Sequence, residues 1–269
     1  MIRHIDDFLQ NSVQKFPTKT AFVEANKSIN YAKFNETCQK VASEILKING
    51  EFKRQIPILI LLPKSIDCLI AFFGVAKAGH FYTLLDEKTP FERIEKIISV
   101  LKPGILITSK QFSFHFKTIP HTLYSEDFEN FSINLNALLN ARKKHIDTNL
   151  LYVFFTSGST GVPKGVSIAH KSVIDYTFWV CEEFALSENE ILANQAPFYF
   201  DNSILDIFSS VKIGATLHIL PNALFAFPAK ITQYLKEHKI SFIFWVPSVL
   251  IYFANTDALK NCELKSLKK

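Results

Sequence analysis

Short apolar runs alternate with stretches of helical spacing along this chain, and that alternation constrains the fold more than any other feature. Residues 56–62, 81–85, 105–108 and 150–155 are rich in Ile, Leu, Val and aromatics. Each is too short for a helix and too uniformly apolar for a half-exposed strand, so each reads as a strand buried on both faces. Between them, residues 66–78 and 90–100 carry apolar positions at helical spacing. Strand, helix and strand in succession predict parallel strands joined by crossover helices. The expected class is α/β, with mostly parallel sheets flanked by helices.

The same reading extends to both ends. Ile5, Phe8, Leu9 and Val13 share one face of a helix over residues 2–15, and Thr20 opens a short strand to 24. Residues 31–48 place Phe34, Cys38, Val41, Ile45 and Leu46 at helical spacing, with Asn49-Gly50 as the stop. Ser65 is a natural N-cap and Gly79 a natural terminator of the helix between them. Residues 109–149 lack a clear period, and a short strand near 122–123 followed by a variable loop is expected. Further on, helices are predicted over 171–184, 203–211, 229–238 and 247–253. Strands are predicted over 191–195, 215–220 and 241–245. These elements suggest a first α/β subdomain over 1–190 and the start of a second over 191–269.

Composition excludes several classes. In 269 residues, 48% are hydrophobic and 20% charged, which rules out a disordered chain. The net charge of +5 is modest and interleaved, so it gives no case for nucleic acid. Cys38, Cys68, Cys181 and Cys262 are far apart, and the 8 histidines show no ligand spacing, so no metal site is read from them. The run Arg142-Lys143-Lys144-His145 reads as a solvated face or linker. No stretch reaches membrane-spanning length and the N-terminus is not a signal peptide. A soluble cytoplasmic protein with no membrane partner is the expectation.

Chemistry concentrates at residues 156–165, Thr-Ser-Gly-Ser-Thr-Gly-Val-Pro-Lys-Gly, between the strand at 150–155 and a second strand at 166–169. Glycines allow close backbone approach to a ligand. Hydroxyls on Thr156, Ser157, Ser159 and Thr160, with backbone N–H groups, supply donors for phosphate oxygens. Lys164 adds a full charge. The string is not a Walker A loop, because Pro163 and Gly165 flank the lysine where that motif needs Gly and Ser/Thr. It resembles the signature loop of the adenylate-forming superfamily: acyl-CoA ligases, luciferases, and the adenylation domains of peptide synthetases and D-alanine–carrier-protein ligases. The resemblance implies that Ser157, Gly158, Ser159, Thr160, Gly161 and Lys164 hold ATP phosphates. Thr156 and Lys164 would serve the reaction itself. Asn30-Tyr31 with Phe34-Asn35, and Lys77-Ala78-Gly79 with Tyr82 and Asp86, look like two further core motifs. Leu84 and Glu87 stand where the second usually has prolines.

A second informative stretch is Ala196-Pro197-Phe198-Tyr199-Phe200-Asp201-Asn202-Ser203. Asp201 lies just before a helix, where a carboxylate is either an N-cap or stabilised by the helix N-terminus. Walled by aromatics, it could hold an ammonium. Phe-Asp-x-Ser resembles the fourth core motif of amino-acid-activating members, in which the Asp binds the substrate amine. The resemblance makes Phe200, Asn202, Leu205 and Phe244 further substrate-binding residues, with Phe244 narrowing the pocket. The alternative for Phe244 and Trp245 is plain core. The wording around Gly214-Ala215-Thr216-Leu217 and Trp245-Val246-Pro247-Ser248 is similar to the D-alanine–carrier-protein ligase branch.

The resemblance implies ATP-dependent formation of aminoacyl-AMP, then transfer to the phosphopantetheine thiol of a carrier protein. It also implies Mg²⁺, whose family ligands would lie after Lys269, together with the adenine and ribose contacts. The chain is therefore expected to be the N-terminal portion of such an enzyme, inactive or incomplete by itself. An acyl- or aryl-CoA ligase fragment and a non-catalytic remnant are the alternatives.

Overall fold

The computed structural model describes residues 2–50, 53–112, 116–156, 163–256, 258 and 263–268. In chain order its elements begin with α1 (Ile5–Lys15), β1 (Thr20–Glu24), β2 (Lys27–Asn30), α2 (Tyr31–Asn49), β3 (Pro57–Leu61), α3 (Ile66–Lys77) and β4 (Phe81–Leu85). They continue with α4 (Phe91–Leu101), β5 (Ile105–Thr108), β6 (His121–Tyr124), α5 (Leu135–Lys143), β7 (Leu150–Thr156), β8 (Lys164–Ala169) and α6 (His170–Glu183). The last are β9 (Ile191–Asn194), α7 (Ser203–Ile213), β10 (Thr216–Ile219), α8 (Pro228–Glu237), β11 (Phe242–Ile243) and α9 (Pro247–Asn255). Among the described residues no helix is long and apolar enough to cross a membrane.

The chain divides into two compact units. The first comprises residues 1–7 and 33–174, the second residues 8–32 and 175–269. In the first unit a six-stranded sheet runs in the order β6-β5-β3-β4-β7-β8. All its pairings are parallel except β7–β8, which is antiparallel. Its central strands are buried on both faces, as continuous apolar runs require. One core cluster joins Leu59, Leu61 and Leu106 of the sheet to Ile94, Ile97 and Ile98 of α4. The Ser65 hydroxyl accepts from the Cys68 N–H at 3.2 Å, capping α3 as its position predicted. Gly79 ends that helix at φ +78°, a conformation open to glycine at little cost.

In the second unit a five-stranded sheet runs β11-β9-β10-β1-β2. β1 pairs in parallel with β10, Phe22 opposite Leu217, so a strand from the start of the chain completes the sheet of its far half. The structural units thus cross the cut at residue 190 that sequence order suggested. Tyr31, buried, donates its hydroxyl to the Ala215 carbonyl at 2.6 Å, with the Ser210 carbonyl 3.0 Å away. Gly214 ends α7 at φ +72°, and a Cβ there would lie 2.3 Å from the Phe16 ring. That turn requires glycine on both counts.

Two elements were not foreseen. Residues 27–30, given no strand by the sequence, form β2, antiparallel to β1 across a turn with Ala25 at φ 48°. α5 occupies the stretch expected to be a loop. Asn134 caps it by accepting from the Ala137 N–H at 3.1 Å. Only Ala137 and Ala141 are buried on it, while Leu135 and Leu139 are 61% and 56% exposed, so its apolar pattern carries no readable period. The basic run is also not merely solvated. Arg142 pairs with Asp6 at 3.2 Å and Asp7 at 2.6 Å, and the His145 ring stacks on His4 at 3.9 Å.

Candidate functional site

In the first unit the candidate is the end of the β7–β8 pair where β7 finishes and β8 begins. Thr156 and Lys164 face each other across the strands as its last paired residues. Ser157, Gly158, Ser159, Thr160 and Gly161 lie outside the described residues. The Thr156 hydroxyl is 3.5 Å from the Lys164 carbonyl, and both residues are exposed. Among the described residues no carboxylate pairs with Lys164, so its charge faces solvent. Gly165 is fixed by contact, because a Cβ there would meet Val153 Cγ1 at 2.8 Å and the Phe155 ring at 3.3 Å. The glycine lets the two strands close tightly behind the lysine. Arg93 of α4 donates to the Phe155 carbonyl at 3.4 Å and brings a second cation to the same end of β7. Arg93 gave no signal in the sequence, since it belongs to no contiguous motif.

An exposed lysine with no anionic partner among the described residues, close in sequence to a run of hydroxyls and glycines, suits a polyphosphate. Among the described residues no group of three or more His, Cys, Asp or Glu could hold a metal ion.

In the second unit the candidate is the connection from β9 to α7. It runs as successive turns: the Phe200 N–H donates to the Pro197 carbonyl at 3.0 Å, Ser203 to Phe200 at 3.1 Å, and Ile204 to Asp201 at 3.0 Å. The Ser203 hydroxyl, fully buried, donates to the Phe200 carbonyl at 2.7 Å. This explains the Ser of Phe-Asp-x-Ser: it locks the peptide just before Asp201. Phe198 is buried and anchors the segment, whereas Phe200 is 55% exposed, tilted against Tyr199 with ring centroids 4.9 Å apart. Asp201 is exposed. The N-cap of α7 is Asn202, which makes no side-chain cap hydrogen bond, so Asp201 is not held as a cap. Leu205 is buried on α7, and Phe244 is half-buried. Trp245 is core: its indole N–H donates to the Ala193 carbonyl at 3.2 Å within an apolar cluster.

Two residues here were not singled out by sequence. Asp206 and Asn194 are wholly buried, and the Asn194 side-chain amide donates to the Asp206 carboxylate at 2.8 Å. The available signal was an acid inside the apolar run Ile204-Leu205-Asp206-Ile207-Phe208. Burial pushes the Tyr176 phenol up, and the charges of Asp206 and Asp201 push it further in the same direction.

The structure thus defines an α/β protein with an exposed lysine on a hairpin in one unit and an exposed carboxylate on a locked turn in the other. Residues 9–269 match the AMP-binding enzyme family, and the chain belongs to it. Over 237 residues it is 30% identical to a D-alanine–D-alanyl carrier protein ligase of Bacillus velezensis, covering 87% of this chain and 46% of that protein. Over 258 residues it is 27% identical to an L-proline–[L-prolyl-carrier protein] ligase of Pseudomonas fluorescens, covering 90% and 50%. The chain therefore spans about half the length of the curated relatives it matches. Among solved structures, the nonribosomal peptide synthetase FmoA3 superimposes with TM-score 0.83 at 20% identity, covering 98% of this chain and 28% of that one. The N-terminal domain of FACL13 from Mycobacterium tuberculosis superimposes with TM-score 0.81 at 18% identity, covering 99% and 69%.

Proposed function

We propose that this chain supplies the phosphate-binding and amine-binding parts of an ATP-dependent amino-acid adenylating ligase. The substrate carboxylate attacks the ATP α-phosphorus, pyrophosphate leaves, and aminoacyl-AMP forms. Catalysis of this kind is mainly positioning and charge neutralisation. Lys164, with Ser157, Gly158, Ser159, Thr160 and Gly161, would hold the departing β- and γ-phosphates, and Thr156 would steady the root of the loop. Asp201 would hold the substrate ammonium, with Phe200, Asn202, Leu205 and Phe244 shaping the side-chain pocket. Transfer of the aminoacyl group from AMP to a carrier-protein thiol would follow.

The observation that carries this reading is the exposed Lys164, which pairs with no carboxylate among the described residues, next to the hydroxyl-rich string 156–160, in a chain of the AMP-binding family. The amino-acid side of it rests on the exposed Asp201 and on relatives that are carrier-protein ligases for D-alanine and L-proline.

The test is amino-acid-dependent ATP–pyrophosphate exchange over a panel containing both alanine enantiomers, L-proline and fatty acids, with Lys164→Ala as control. Exchange that selects one amino acid and disappears in the control would support the reading. Exchange driven by fatty acids would replace the amino-acid reading with an acyl ligase. Absence of exchange with every acid would overturn adenylation by this chain alone.

A further inference from the structure

We propose that Asn194 and Asp206 are a pair of positioning residues that hold the amine-binding segment in its working conformation. This deepens, and rests on, the amino-acid reading above. Asn194 is the last residue of β9, and Asp206 lies in the first turn of α7. Their 2.8 Å hydrogen bond therefore ties together the two ends of the connection that carries Phe198, Phe200 and Asp201.

Three observations support the pairing as a device rather than filler. Both side chains are fully buried, and a buried carboxylate costs more than an apolar pair of the same volume, so stability alone does not call for it. The connection between them is already folded into turns closed by Ser203, so a clasp at its ends leaves it little freedom. Finally, Asp206 and Asp201 both act electrostatically on Tyr176, which puts the buried charge in the neighbourhood of the exposed one. Asp206 would thus fix the segment and add negative potential for an ammonium.

The swap of donor and acceptor tests this in the full 269-residue chain. Asn194→Asp sets two carboxylates against each other. The double variant Asn194→Asp/Asp206→Asn restores a donor–acceptor pair in reverse. Asn194→Leu removes the donor at similar volume, should the first variant not fold. Two readouts are needed: amide hydrogen exchange over residues 195–204, and affinity for an aminoacyl-sulfamoyl adenosine compared with its des-amino analogue.

We expect Asn194→Asp or Asn194→Leu to speed exchange over 195–204, with β3 and β4 unchanged. Affinity for the amine-bearing ligand should fall about tenfold more than for the analogue, the weight of one charge-assisted hydrogen bond. The double variant should restore both. Unchanged exchange over 195–204, or a double variant as impaired as the singles, would overturn the clasp. Faster exchange with equal affinity for the two ligands would make the pair structural only and overturn its positioning role. A wild-type chain indifferent to the amine would fail before any substitution. That outcome would sink the amino-acid reading, and this inference with it.

Discussion

Each unit buries a charged cluster, and the two are built differently. In the first, Asp6 is paired with Lys77 and, at 3.2 Å, with Arg142, so a buried negative charge meets two cations. Burial pushes the Asp6 carboxyl up, but Lys77 and Arg142 together hold it below the usual carboxylate range. Against this lie three stacked imidazoles, His145 on His4 at 3.9 Å and His170 on His4 at 3.7 Å. Burial drives all three down, His145 to about 4 and His170 to about 3, so they are neutral rings near pH 7. In the second unit the Asp206 carboxylate accepts from a neutral amide, Asn194. The first cluster cancels charge and binds α3 and α5 to the start of the chain. The second supports a charge with a dipole, next to a turn that exposes another carboxylate. The first arrangement ties elements of the fold together, whereas the second lies beside an exposed carboxylate.

Acid should separate the two most strongly. A buried histidine with a lowered pKa holds no proton in the folded state, while the unfolded chain takes one below about 6.5. Stability is therefore indifferent to these groups above that pH and falls as pH drops from about 6.5 toward 4. Among the described residues, the first unit contains four such histidines, His4, His80, His145 and His170, and the second has one, His218. Hydrogen exchange across that range should show the first unit opening before the second. Simultaneous opening would break the contrast.

Lys77→Met comes next. It strips a buried partner from Asp6 and should cost about 3–5 kcal/mol in urea unfolding. A loss below about 1 kcal/mol would mean that Arg142 suffices. Asn194→Leu removes a single neutral donor and should cost less, about 1–3 kcal/mol by the same measurement. A cost equal to that of Lys77→Met would erase the distinction between the clusters. The smallest effect is expected for Tyr31→Phe, which deletes one hydroxyl bond to Ala215 away from either cluster. About 1 kcal/mol is expected from thermal melts.

Much of this was readable in advance wherever the information is local. The strands over 81–85 and 105–108 match β4 and β5 residue for residue, because apolar runs bounded by turn formers admit few alternatives. The ends of α3 followed from Ser65 and Gly79, whose capping roles depend on their own backbone positions. The hairpin string suggested a phosphate grip because its donors are contiguous in the chain, and that role is a proposal. α5 was missed for the same kind of reason: two buried alanines are too little apolar surface to make a pattern.

By itself, the sequence determined the α/β class, the order of most elements, the hairpin lysine and the carboxylate at the head of α7. All of these are carried by residues a few positions apart. Tertiary structure alone decided that β1 completes the far sheet and that Arg93 joins the end of β7. It alone stacked His4 on His145 and His170, and closed Asn194 on Asp206. Such partners are brought together by chain folding, and burial then makes each pairing matter: an imidazole or carboxylate removed from water must be neutral, paired or hydrogen-bonded.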